Sequence, residues 1–258
     1  MALSARGTAI ESIVRHERRV LVAAIVCVPL LCWTWIVPMS RNTFGSMADP
    51  SAMMMNSVWD LRHIALLAAM WVVMMVGMMT PSAAPTLLIY AAVVRRSEGA
   101  RAALRVYPMA FGYLLVWAAF GLGATLLQHV MSASVLSPTM RVSNAWASAL
   151  LMVAAVYQVT PLKAACLDSC RSPIHFIVTH MRAGVAGAFR MGLRHGFLCV
   201  GCCWALMLLL FAGGVMNLWT IALLTFFVLV EKLSPFGART EGITAAGLAI
   251  IAVWILAL

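Results

Sequence analysis

A histidine and three thiols, His195, Cys199, Cys202 and Cys203, sit close together in one apolar stretch. It reads Met191-Gly-Leu-Arg-His195-Gly-Phe-Leu-Cys199-Val-Gly-Cys202-Cys203-Trp204 and runs on as Ala-Leu-Met-Leu-Leu-Leu-Phe. At about 100° per residue, a helix places His195, Cys199 and Cys202 within roughly 60° of one another. Cys203 falls at the edge of that stripe, and Met191 lies one turn before the histidine. Polar, metal-binding side chains are costly inside a bilayer and mark functional sites there. Thiolates beside an imidazole form the donor set of a soft or borderline metal, Cu(I) first and zinc as the alternative.

The elements that must position these groups follow from composition. The chain is 64% hydrophobic and 10% charged, with a mean hydropathy of +0.97. A soluble domain carries about 25% charged residues, so the expected fold is an all-α, polytopic transmembrane helix bundle. Apolar runs near the ~20 residues that cross a bilayer recur at about 20–37, 61–94, 106–128, 145–161, 187–211, 218–230 and 243–258. That predicts about seven spans: a cytoplasmic segment at 1–19, then one transmembrane domain over 20–258. Pro81 and Pro85 predict a kink in the second span.

Of 18 lysines and arginines, all but Arg41, Arg62 and Arg141 fall on one side if the amino terminus is inside. The positive-inside rule then predicts N-in and C-out, and a multi-pass protein of the bacterial inner membrane. The net charge of +10 is read as topology, not nucleic-acid binding, because the arginines flank spans and no basic soluble domain is present. The first span is read as a retained anchor, since no small-residue cleavage site follows it.

Other soft ligands sort by side in this topology. Cys166, Cys170, His175 and His180 fall in an expected cytoplasmic loop at about 162–186, where they could together hold zinc. The chain has 19 methionines; Met39, Met47, Met53, Met54 and Met55 lie outside, and Met70, Met74, Met75, Met78 and Met79 line the second span. Thioethers survive at an oxidising surface and still favour Cu(I), whereas thiolates there would oxidise. Met74 and Met78 are therefore read as ligands on a route to the thiols, against the plainer reading of a packing stripe. Cys27 and Cys32 are read as packing. Glu231, Arg194 and Met191 are expected to support the ligands, with Glu231 bonded to a ligating imidazole or paired with Arg194. Gly192, Gly196 and Gly201 are expected to seat the second span against the fifth.

Three functions stay open on these residues: Cu(I) transport or delivery to a partner protein, thiol–disulfide exchange through Cys199-Val-Gly-Cys202, and a metal-dependent membrane oxidoreductase. No hydrolytic acid–base constellation or nucleotide-binding loop is present, so a non-enzymatic role is favoured.

Three separated motifs also carry a resemblance. They are Trp71-Val-Val-Met-Met-Val-Gly-Met-Met-Thr-Pro81-Ser-Ala-Ala-Pro85, Tyr157-Gln-Val-Thr-Pro161-Leu-Lys163-Ala-Ala-Cys166-Leu-Asp-Ser-Cys170-Arg-Ser-Pro173, and Met191 through Trp204 followed by Gly214-Val-Met-Asn217 and Glu231-Lys232. From about residue 60 onward the chain resembles a bacterial family of metal-binding integral membrane proteins, a domain of unknown function. The resemblance implies metal binding and no particular reaction.

Overall fold

The computed structural model describes residues 22–38, 61–132, 143–215, 217–233 and 238–257, and the regular structure among them is entirely helical. Helix α1 spans Val22–Pro38. It is followed by α2 (Leu61–Glu98), α3 (Ala103–Ser132), α4 (Asn144–Gln158), α5 (Pro161–Arg171), α6 (Pro173–His180), α7 (Gly184–Gly213), α8 (Leu218–Leu233) and α9 (Ala238–Ala257). A 3-10 turn at Gly99–Ala102 joins α2 to α3. The amino-terminal segment 1–19 and Met39, Met47, Met53, Met54 and Met55 lie outside the described residues.

Three helices are long and apolar enough to cross a membrane: Ile64–Glu98, Ala103–Met131 and Gly184–Gly213. Asn144–Gln158 and Pro161–Arg171 add a fourth if the pair, bent by 68°, forms one span. Helices α1 and α9 are apolar but shorter.

Helix α2 runs through Pro81 and Pro85 without a break. Each proline lacks an N–H and crowds the carbonyl one turn back. Beside them Thr80 Oγ1 donates to Val76 O at 2.6 Å and Ser82 Oγ to Met79 O at 2.9 Å, carbonyls other than those of Gly77 and Pro81, which the prolines leave without a helical donor.

The segment expected as a loop at 162–186 folds instead into α5, α6 and the start of α7. The reason is local chemistry. Thr160 caps α5, its hydroxyl accepting from Lys163 N at 3.3 Å, and Pro161 occupies the first turn; Pro173 opens α6 in the same way. Proline at these positions gives up a donor that has no helical partner anyway.

Helix α7 is the centre of the bundle, packed against α3, α4 and α5. Its glycines seat α3, which corrects the expected partnership with α2. A Cβ on Gly192 would land on the backbone carbonyl of Met109, and one on Gly196 would meet Val116 Cβ at 2.8 Å. Helix α3 returns the fit through Gly112, whose Cβ would press on Phe189 O at 2.5 Å. Close backbone approach of this kind gives dense van der Waals contact. On its other side α3 packs on α2, with Gly121 against the backbone of Val72. Helix α2 meets α7 through large side chains, the rings of Trp71 and Phe211 lying 5.2 Å apart. Cys32 packs as expected, against Gly77, while Cys27 is exposed.

Candidate metal centre

The helical register of α7 does what its spacing requires. The sulfurs of Cys199, Cys202 and Cys203 all lie within 4.8 Å of one another, on side chains no more than 1% exposed. All three are free thiols. Cys202 and Cys203 donate back to Cys199 O at 3.0 and 2.9 Å, which turns both toward the first cysteine.

Cys199 is the hub. Its sulfur accepts from Lys232 Nζ at 2.8 Å and lies 3.2 Å from Tyr113 Oη. Lys232 also donates to Ser82 Oγ at 3.1 Å, and Tyr113 donates to Met79 O at 2.9 Å. The tyrosine has one proton for two neighbours. With Cys199 protonated, the thiol donates to the phenol oxygen; with Cys199 as thiolate, the phenol proton can turn to sulfur. Helices α3 and α8 thus meet the Cys199 sulfur of α7 directly, and α2 reaches it through Lys232 and Tyr113. Helix α5 brings Cys170, half-buried, close to Cys199 and Cys202.

Cys166 sits one turn earlier on α5 and fills the gap at Gly201, where an added Cβ would lie 2.8 Å from its sulfur. Gly201 is held from the other side by Tyr157, which donates to its carbonyl at 2.5 Å and packs edge-on against Trp204 at 5.0 Å. Among the described residues, Cys166 and Cys170 form no group with His175 and His180. His175 is exposed, and His180 stacks on Phe176 at 4.9 Å with Nδ1 at 3.0 Å from Phe176 O. The loop zinc site expected from sequence is not assembled, because α5 turns its cysteines inward to α7.

His195 is 3% exposed, one turn from Cys199, with its ring between Tyr113 (5.4 Å) and Phe176 (5.0 Å). Its Nδ1 is buried with no hydrogen-bond partner among the described residues, an arrangement that costs free energy unless something else occupies that nitrogen. Met191, one turn earlier, is 2% exposed. Met74 and Met78 are buried in the core face of α2. The α2 groups that reach the site's hydrogen-bond network are Ser82 and the carbonyl of Met79.

Glu231 does not support an imidazole or pair with Arg194. Its carboxylate meets Lys163 Nζ at 2.5 Å and Gln158 Nε2 at 3.3 Å, and its carbonyl accepts from Arg171 Nε at 3.0 Å. Arg194 is exposed and lines a surface cavity. The residue that touches the thiols is the neighbouring Lys232, which a sequence reading centred on the acid passes over, as it does Tyr113. The signal was present, since a lysine within an apolar run needs a partner.

These residues suit Cu(I). Three converging sulfurs in a buried site are soft donors for a soft ion. The charge of their thiolates, expensive at this depth, is opposed by the ammonium of Lys232. No curated protein and no solved structure matches the chain. Residues 68–255 match the family model described as PpoB2, copper chaperone. That span takes in the whole of the thiol cluster, Cys170, Tyr113 and Lys232, and the chain belongs to this copper chaperone family.

Proposed function

We propose that the protein is a multi-pass membrane copper chaperone that carries Cu(I) on Cys199, Cys202 and Cys203 and delivers it to a copper-accepting protein. The buried trithiol facing Lys232 carries the reading. Copper is the cargo here. Each thiol that binds it gives up a proton, so loading weakens as pH falls. Lys232 and the Tyr113 hydroxyl stabilise the resulting thiolate at Cys199, and Cys170 stands ready as a further sulfur ligand from α5. A donor that can swing in from a second helix suits a carrier, which must release as well as hold.

Membrane residence is supported by the three long apolar helices. Large apolar side chains also lie bare on the outside of α3 and α9, among them Phe111, Leu126, Ile250 and Trp254. On this reading the chain crosses the bacterial inner membrane about seven times, with the amino terminus inside. Met74 and Met78 then give α2 a thioether route toward the thiols from the opposite side. Zinc, which has little use for thioethers, is the competitor for the same sulfurs.

The proximity of Cys170 to Cys199 and Cys202 favours a second reading, thiol–disulfide exchange between α5 and α7. Metal analysis of the anaerobically purified full chain separates the two. Copper in the wild type and none in Cys199→Ser/Cys202→Ser supports the chaperone. Absence of metal with a titratable Cys199–Cys202 disulfide overturns it, and zinc in place of copper reassigns the site.

A further inference from the structure

A cavity of about 190 Å³ opens beside the amino-terminal half of α7, lined by His180, Arg182, Arg190, Met191 and Arg194. The arginine side chains are exposed, and Met191 is the buried member. Arg182 is held in place through its backbone, where its carbonyl accepts from Arg105 Nη2. Arg105 is in turn paired with Glu98 at 2.5 Å. Among the described residues no carboxylate lines the cavity, and three guanidinium groups face it.

The buried wall of this cavity is the first rung of a ladder. Met191, His195 and Cys199 follow one another at four-residue intervals, hence on one face of α7. They are 2%, 3% and 0% exposed. Each step rises about 6 Å, so about 12 Å of helix separates the cavity from the trithiol. Each turn presents one donor for a soft or borderline metal: thioether, imidazole, thiol. The imidazole is the group whose Nδ1 has no partner among the described residues.

We infer that the arginine cavity is the port through which Cu(I) is exchanged as an anionic complex of small carboxylate-bearing thiols; this deepens the chaperone reading and rests on it. Two thiolates on Cu(I) give a net negative charge, and carboxylates on the carrier add to it. Guanidinium groups bind such oxyanions through paired N–H donors and are weakly hydrated enough to meet thiolates as well. The cavity is smaller than the ~300–1,000 Å³ that engulfs a whole ligand, so it takes one end of the carrier.

Transfer is ligand exchange without redox change. As a bond forms from copper to Met191 sulfur or His195 Nδ1, a carrier Cu–S bond breaks. The carrier thiolate leaves with its electron pair, its charge held by the arginines. Copper's bonds to Cys199 and Cys202 replace the two carrier Cu–S bonds, the protons these two thiols lose pass to the two departed thiolates, the proton lost at Cys203 goes to bulk water, and copper remains Cu(I) throughout.

The test is the loading rate of the full chain in phosphatidylcholine nanodiscs under argon, with Cu(I)–glutathione as the donor. Arg190→Gln/Arg194→Gln is expected to slow loading about tenfold at low salt, the scale on which charge steers association. It should also flatten the salt dependence while leaving end-point copper unchanged. Arg190→Lys/Arg194→Lys should recover most of the rate, and loading from the cationic acetonitrile complex of Cu(I) should not be slowed. A wild-type rate in the glutamine variant, with full end-point copper, overturns the port and leaves the chaperone intact. So does a slowing seen only when phosphatidylglycerol is added, which makes the cavity a lipid-headgroup site. A wild type that takes up no copper overturns the underlying function and the port with it.

Discussion

The chain contains two lysines, Lys163 and Lys232, and the fold buries both. Lys163 is closed against Glu231 at 2.5 Å, with Gln158 satisfying the same carboxylate. Lys232, the residue next to that glutamate, meets no carboxylate among the described residues. It meets a sulfur at 2.8 Å and a hydroxyl at 3.1 Å. Adjacent residues on a helix point about 100° apart, so α8 presents its acid to α5 and its base to α7. The first pair is electrically complete and ties helices together. The second is a cation waiting for a charge that cysteine supplies only once it loses its proton. A buried cation of that kind belongs to function, because the fold by itself does not neutralise it.

Breaking the complete pair should have the largest effect, and on stability. Lys163→Met strands a buried carboxylate and is expected to cost about 3–5 kcal/mol, read by chemical denaturation in detergent micelles. Adding Glu231→Leu should return most of it, and copper per folded molecule should stay at the wild-type value. Lys232→Met should do the reverse, leaving stability near wild type and weakening Cu(I) affinity about 10–100-fold, measured by competition with a chromophoric Cu(I) chelator. Loss of stability in place of affinity would merge the two lysines into one structural class.

Tyr113→Phe removes one hydrogen bond at Cys199 and should cost about 1 kcal/mol, a several-fold weakening in the same competition assay. The smallest change is expected on α5. Cys166→Ser should alter affinity by less than about twofold, and Cys170→Ser, nearer to Cys199 and Cys202, by about two- to threefold, less than the loss of a full hydrogen bond.

Much of the site was legible before the fold was known, for a specific reason. His195, Cys199 and Cys202 obey the helical period within one segment, and local periodicity needs no knowledge of neighbours. Relations between segments were less legible. Small residues on α7 announce that some helix approaches closely, but not which one; Gly112 on α3 is the complement that decides against α2. The stretch around Cys166 and Cys170 looks like a loop because it is polar and carries two prolines, yet Thr160-Pro161 is a helix start, and its capping bond is made. Choosing between Glu231 and Lys232 as the residue beside the metal ligands was a choice between two faces of α8. Only the placement of Lys163 and Cys199 on neighbouring helices resolves it.

Cys199, Cys202 and Cys203 of α7 are proposed to hold copper as Cu(I) at a single buried site. Copper K-edge X-ray absorption of the full chain, loaded with one equivalent of Cu(I) under argon, tests it most directly. An all-sulfur, low-coordinate environment that disappears in Cys199→Ser/Cys202→Ser is the predicted result. A first shell dominated by nitrogen or oxygen, or a spectrum unchanged in that variant, would contradict it.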